Sequence, residues 1–276
     1  MKLQFLGTAA AEGLPAFFCT CETCRIAREK GGKNIRSRCQ ALVDDRLLID
    51  FGPDTYYHSM RDGIDLTYIF NVLITHVHED HLCPTELHYY RKGFSNLPED
   101  HPKFHFWGGP EMVRVLTPFI DHPNTLGRVV LHELQPFTPT VIDNYTVTAL
   151  PAYHGTETPY FYMIEDGKKT LLYAHDTGAF KEEVWDYFAK VRPHFDLISF
   201  DCTMGNRPLA KPCSHLGFVD IKALREKLAA AGYVNEKTVC VANHFSHNSP
   251  DVNFEDRAAY ENEGYVMSHD SLVLEF

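Results

Sequence analysis

The sequence predicts a mixed α/β fold with helices outside packed sheets. Three observations lead there. Apolar runs of strand length recur along the chain. The early ones follow one another in meanders, and the later ones alternate with amphipathic segments of helix length. No repeat, low-complexity linker or compositional break divides the 276 residues, so one domain over 1–276 is expected; a hydrophobic content of 44% suffices for a sizeable core.

Taken in order, Lys2–Leu6 reads as a first strand, and Gly7–Gly13 as a small-residue loop whose backbone can approach a ligand or metal closely. Arg25–Arg38 is basic and polar, a short helix and a loop. Gln40–Val43 and Arg46–Asp50 are strands joined by a hairpin turn at Asp44-Asp45. Thr55–Met60 is helical, Asn71–Thr75 is a buried strand, and Pro84–Gly93 is helical again. Phe104–Trp107 is a strand, Gly108-Gly109-Pro110 a turn and Glu111–Ile120 a helix. Val129–Leu134 and Tyr145–Leu150 are strands, and Tyr160–Ile164 pairs with Thr170–Ala174 across a turn at Asp166-Gly167. Phe180–Val191 is an amphipathic helix, Leu197–Phe200 a buried strand, and Met204–Cys213 a loop with two prolines. Leu216–Ala231 is a long helix that stops before Gly232, and the strands Thr238–Ala242 and Leu272–Glu275 close the fold.

The chemistry gathers where the Asn71–Thr75 strand ends. His76-Val77-His78-Glu79-Asp80-His81 places three histidines and a carboxylate within six residues. His76 and His78 are two apart, so extended backbone projects both to one side. Asp80 and His81 follow in the turn, so the cluster can serve two adjacent metals. Three more apolar runs end in His154, Asp176 and His244, each unremarkable alone. Ends of neighbouring strands lie side by side, so these groups can converge. Five histidines and two aspartates suit two metals: His76, His78 and His154 on one, Asp80, His81 and His244 on the other, with Asp176 between them. Imidazole and carboxylate suit zinc, manganese or iron, and two such ions can activate a bridging hydroxide and polarise a phosphoryl or acyl oxygen.

A second cluster, Cys19-Thr20-Cys21-Glu22-Thr23-Cys24, offers three thiols for a structural zinc that lacks its fourth ligand. Tyr89, Tyr90, Arg91 and Lys92 follow the histidine motif and suit either an anionic substrate or an exposed helix end; Tyr153 and Thr177 are further candidates for substrate contact.

Composition narrows the function. A formal net charge of -11 argues against non-specific nucleic-acid binding as the main task, so no extended nucleic-acid partner is expected. No apolar run approaches the roughly 20 residues of a membrane span, and Met1–Phe5 reads as a strand rather than a signal peptide. Eight cysteines are too few and too uneven for a disulfide framework in this length. A soluble cytoplasmic protein with reduced thiols and no membrane partner is the expectation. Oligomeric state stays open, a homodimer included.

His76 to His81, His154, Asp176 and His244 together resemble the five-motif pattern of the metallo-β-lactamase superfamily over nearly the whole chain. The resemblance implies a four-layer αβ/βα sandwich and a dinuclear metal hydrolase. The opening Phe5-Leu6-Gly7-Thr8-Ala9-Ala10-Ala11-Glu12-Gly13-Leu14-Pro15, followed by Cys19, Cys21 and Cys24, is similar to the subfamily typified by phosphoribosyl 1,2-cyclic phosphate phosphodiesterase of the carbon–phosphorus lyase pathway. That resemblance implies that Cys19, Cys21, Cys24 and His247 hold a structural zinc. It also implies that His215 is the general acid near the leaving group, beside a dinuclear zinc or manganese centre in which Asp80 takes part in catalysis. The expected activity is hydrolysis of a small, possibly cyclic, phosphodiester. Substrate selection is expected in the loops 84–103 and 203–215. Alternatives on the same fold are a nuclease of the tRNA 3′-processing type, whose long basic arm has no counterpart here, and a thioester or lactone hydrolase. A non-enzymatic alternative is an accessory protein of pyrroloquinoline-quinone biosynthesis.

Overall fold

Two sheets of seven strands each carry the architecture in a computed structural model that describes residues 1–125, 127–207 and 213–276. The first strands are β1 (Lys2–Gly7), β2 (Gln40–Val43), β3 (Leu47–Ile49), β4 (Asn71–Leu73), β5 (Phe104–Gly108) and β6 (Val129–Glu133). Next come β7 (Thr140–Ile142), β8 (Tyr145–Pro151), β9 (Tyr160–Glu165), β10 (Thr170–Ala174), β11 (Leu197–Asp201), β12 (Val239–Asn243), β13 (Val266–Met267) and β14 (Leu272–Glu275). The sheet orders are β14-β1-β2-β3-β4-β5-β6 and β13-β12-β11-β10-β9-β8-β7. In both, antiparallel meanders give way to parallel pairs, β3 to β6 in one and β10 to β13 in the other.

Strand periodicity builds three apolar layers. Leu171, Tyr173, Leu197 and Val241 meet Leu3, Phe5, Val43 and Ile49 between the sheets. The alternate residues Leu172, Ala174, Ile198 and Phe200 face outward. They pack under α1 (Glu22–Lys30), α4 (Glu182–Val191) and α5 (Phe218–Ala230), and Tyr260 of α6 (Ala258–Glu261) joins the same layer. On the first sheet, Leu42, Leu48, Val72 and Phe106 pack under Met112 and Leu116 of α3 (Pro110–Ile120). The result is the four-layer αβ/βα sandwich that the resemblance implied.

Several expectations need correcting. β4 stops at Leu73, because the Thr75 amide turns away to Asp50 Oδ1 at 2.8 Å. Pro84–Tyr90 is a 3₁₀ helix rather than an α-helix, and α1 begins at Glu22, inside the cysteine cluster. The edge strands β7 and β13 have only three and two residues and lack a readable alternation. The predicted loop 204–213 falls partly on 208–212, outside the described residues.

One buried histidine of the frame yields a pH prediction. In α2 (Thr55–Asp62), His58 Nδ1 lies 2.6 Å from Gln40 Oε1, and Nε2 lies 2.7 Å from Ser37 Oγ. Burial, and then the nearby Arg61 charge, push its pKa down to about 4. The unfolded chain takes up this proton near pH 6.5 and the folded chain only near 4, so stability is intact above 6.5 and declines as pH falls through that window. The loss at pH 5 is about 2 kcal/mol. Denaturant titrations of wild type and His58→Gln at pH 7 and pH 5 are expected to differ in pH dependence by that amount. Parallel pH dependence in the two proteins rules out His58 as the titrating group.

Candidate metal centre and active site

The predicted ligands leave the C-terminal ends of β4, β8, β10 and β12 and meet at one mouth of the sandwich. The loop after β4 is tied down by backbone bonds from Phe51 N to His81 O (2.8 Å) and from Cys83 N to Phe51 O (2.7 Å). Gly52 permits this approach, since a Cβ there would sit 2.1 Å from Asp80 O.

Two groups form. In the first, His78 Nδ1 lies 2.9 Å from His76 Nε2 and 3.1 Å from His154 Nε2. In the second, His81 Nε2 lies 3.2 Å from Asp80 Oδ2 and 3.4 Å from His244 Nε2. Asp176 touches both: Oδ2 is 2.8 Å from His81 Nε2 and 2.9 Å from His244 Nε2, while Oδ1 is 3.6 Å from His154 Nε2. Ligand atoms on one tetrahedral zinc at 2.0–2.1 Å stand about 3.3 Å apart, so both spacings suit a metal.

The far sides of the rings support this. His81 Nδ1 is 2.6 Å from Asp50 Oδ2, His244 Nδ1 is 2.8 Å from Thr203 Oγ1, and His76 Nδ1 is 3.0 Å from Thr75 Oγ1. With the Nδ1 protons engaged there, the Nε2 lone pairs of these rings turn inward. Buried Asp176 Oδ2 then faces lone pairs and has no hydrogen-bond partner among the described residues. An orphaned carboxylate oxygen among unprotonated imidazoles calls for a cation. A cation there would meet a demand for positive charge that protons on the rings otherwise have to meet. Burial disfavours a charged His81, yet Asp80, Asp176 and Asp50 together hold its protonated form well above the ordinary range. Burial likewise works against ionised Asp176, but His244 and His81 keep it well below the carboxylate range. His76, dominated by burial, is held neutral. These residues fit two divalent ions.

His215 stands at the edge of the same centre. Its Nδ1 donates to Asp201 Oδ2 at 3.0 Å, and Nε2 has no hydrogen-bond partner among the described residues. Asp201 also accepts from the backbone amides of Asp176, Thr203 and Leu216, each at 3.0 Å. Its lone pairs are filled, so it orients neighbours rather than binding metal. Burial pulls the His215 pKa down, but the Asp201 charge and hydrogen bond outweigh it and raise the group to about 9.

The sulfur cluster assembles separately. Cys19, Cys21 and Cys24 Sγ and a ring nitrogen of His247 all lie within 4.8 Å of one another, with Cys21 Sγ 3.7 Å from His247 Nδ1. A zinc tetrahedron of thiolates has sulfur–sulfur edges of about 3.8 Å, so this set fits a fourth-ligand histidine.

Residues 45–266 match the family described as the Beta-lactamase superfamily domain. The chain belongs to the metallo-β-lactamase superfamily. Among solved structures, it resembles a diphosphatase from the PhnP family at 20% identity and a TM-score of 0.75, covering 100% of this chain and 97% of that one. Zn(2+)-bound PqqB from Methylobacterium extorquens is similar at 20% identity and a TM-score of 0.71, with 100% of each chain covered. The short form of human tRNase Z follows at 16% identity and 0.64, covering 100% of this chain and 99% of that one. No curated protein matches in sequence.

Within this metallo-β-lactamase fold, sequence reasoning missed Asp50, Thr203 and the orienting role of Asp201. Asp50 and Asp201 end the apolar runs of β3 and β11, the same signal that singled out Asp176. Tyr89 and Tyr90 line an apolar cavity of about 710 Å³ together with Phe51, Leu87 and Phe104, and none of the metal-cluster residues lines it. Thr177 is buried; its Oγ1 accepts from Tyr153 N at 3.0 Å, and half-exposed Tyr153 stands beside His154 at the mouth. Among the described residues, no helix is long and apolar enough to cross a membrane.

Proposed function

We propose that this superfamily hydrolase is a phosphodiesterase acting on a small, possibly cyclic, diester. The observation that carries the reading is His215, held through Nδ1 by Asp201, next to a ligand set whose two groups Asp176 joins. His76, His78 and His154 would hold one metal and Asp80, His81 and His244 the other, shared through Asp176, with zinc or manganese both suited to the donors. When bound, the metals supply Lewis acidity and lower the pKa of coordinated water.

The chain's own residues do the rest. Asp50 fixes the His81 ring through Nδ1, and Thr203 sits against His244 Nδ1. Asp201 keeps the Nδ1 proton of His215 in place and favours its charged form, so Nε2–H can be given to the departing oxygen as the P–O bond breaks. Asp80 belongs to the group that would hold the second metal and, through it, the reacting water. The acidic chain suits a small substrate rather than a long RNA. The likeness to a PhnP-family diphosphatase along the whole chain supports phosphorus chemistry. We assign Cys19, Cys21, Cys24 and His247 to a structural zinc.

The test is hydrolysis of bis(p-nitrophenyl) phosphate by manganese- or zinc-reconstituted protein, beside a phosphomonoester and a thioester. Diesterase activity is expected; on a diester with an alkoxide leaving group kcat should fall at least ~10²-fold in His215→Ala, the usual weight of a general acid, and less on bis(p-nitrophenyl) phosphate, whose leaving group departs without a proton. Preferential thioester turnover would sink the phosphodiesterase reading. Undiminished activity of His215→Ala on the alkoxide-leaving diester would remove the acid assignment.

A further inference from the structure

Three residues of the centre have left-handed backbone: Asp50 (φ 69°), Asp176 (φ 48°) and His244 (φ 64°). Such conformations are costly for residues with side chains and persist where the surroundings over-determine them. For Asp176 and His244, the residues just before them show how. By strand alternation, His175 continues the inward face of Leu171 and Tyr173, and Asn243 that of Val239 and Val241. Both side chains therefore enter the space between the sheets, where the neighbours below are apolar.

There they meet one sulfur. Cys39 Sγ lies 3.3 Å from His175 Nδ1 and 3.5 Å from Tyr173 Oη, and it accepts from Asn243 Nδ2 at 3.5 Å. The other ends are also engaged, with His175 Nε2 2.7 Å from Ser199 Oγ and Asn243 Oδ1 accepting from Ser268 Oγ. Cys39, His175, Asn243, Ser199 and Ser268 are all buried. Cys39 precedes β2 of the first sheet, and its partners Tyr173, His175 and Asn243 belong to or adjoin β10 and β12 of the second. Burial keeps the thiol protonated, so it takes no part as a nucleophile. An apolar side chain would fill this space at least as stably as a polar cluster. What the cluster adds is direction: it ties the residue before each of the two ligands to the opposite sheet.

We propose that Cys39 is a positioning residue for the metal centre, fixing the left-handed turns from which Asp176 and His244 reach a common point. The proposal rests on reading those two residues as metal ligands. It does not depend on which bond the enzyme cleaves.

The experiment uses the full chain, metal-depleted and reloaded with cobalt(II), and compares wild type, Cys39→Val and Cys39→Ser. Valine fills the space, about one methyl larger than cysteine, and loses the polar contacts, whereas serine keeps a hydroxyl in their place. Cys39→Val is expected to weaken the second cobalt about 10–100-fold, the usual effect of losing an outer-shell partner, and to shift its visible absorption. kcat should fall with KM unchanged, and the zinc of the three-cysteine cluster should stay. Cys39→Ser is expected to recover most of the affinity. Unaltered cobalt affinity and spectrum in Cys39→Val, with only a lower melting temperature, would reduce Cys39 to packing and overturn the proposal. So would a serine variant no better than the valine one. Should Cys39→Val fail to fold, Asn243→Ser, which breaks the bond to the sulfur, is read by the same titration with the same two outcomes. A protein that binds cobalt normally but cleaves no phosphodiester counts against the function proposed above and leaves this inference standing.

Discussion

Asp176→Ala is expected to lower turnover at least ~10³-fold and to leave less than two active-site metals per chain. The reason is geometric. Its Oδ2 is 2.8 Å and 2.9 Å from His81 and His244, and its Oδ1 faces His154. Removing it subtracts a donor from both groups at once, whereas losing any single histidine subtracts from one. It also removes the buried negative charge that would offset the mutual repulsion of two adjacent cations. Loss of an orienting partner alone costs about 10–100-fold in affinity or activity, so loss of a shared ligand must cost more. The measurement is metal content by elemental analysis alongside kcat, with circular dichroism to show that the variant folds. A folded variant that retains two active-site metals and near-normal kcat would show that Asp176 joins nothing and that the two-metal partition is wrong.

The parts of this site that could be read from sequence share one physical cause. A strand has a period of two and must end somewhere, so an apolar run followed by a histidine or aspartate places that residue at the rim of a sheet. His76, His154, Asp176 and His244 were all found that way. The pairing of Asp201 with His215 could not be found so, because it depends on how the chain folds back after β11 and not on any local spacing. Asp50 was legible in principle, but an aspartate before Phe-Gly-Pro also reads as an ordinary turn residue. Which ring nitrogen each histidine offers was invisible as well. His78 presents Nδ1 inward, while His76 and His81 present Nε2, and only the partners on the far side of the ring decide this. In the frame, the short strands β7 and β13 were lost for a simpler reason: two or three residues are too few to show a period. The Cys39 cluster lies between these extremes. His175 and Asn243 stand out as polar residues on an inward face, yet the sulfur that joins them comes from the other sheet.

Cys21→Ala is expected to release one tightly held zinc and to lower the melting temperature by ~10 °C, while the two active-site metals stay. Cys21 and His247 are 226 positions apart, so a zinc between them closes most of the chain into a loop. By analogy with a disulfide that closes a loop of more than 100 residues, such a cross-link is worth about 5 kcal/mol. At 2–4 °C per kcal/mol for a chain of this size, that gives the expected shift. Further back, the segment before α1 is held by the Leu14–Arg36 backbone pair at 2.9 and 2.7 Å; the bonds nearer the thiols are few. Ala16 N donates to Cys24 Sγ at 3.3 Å, and Arg28 donates to Ala16 O and Cys19 O at 3.0 Å and 2.8 Å. Cys240→Ala is the control: it removes a buried thiol packed in the outer core of the second sheet, so it leaves a small cavity and no vacant ligand. It should cost about 1 kcal/mol and no zinc. If both variants lose similar stability and neither loses metal, the three thiols and His247 are packing residues. If Cys21→Ala also strips the active site, the two centres are coupled through Phe245 and Ser246, the two residues that separate His244 from His247, and the cysteine cluster is part of the catalytic frame rather than a clamp beside it.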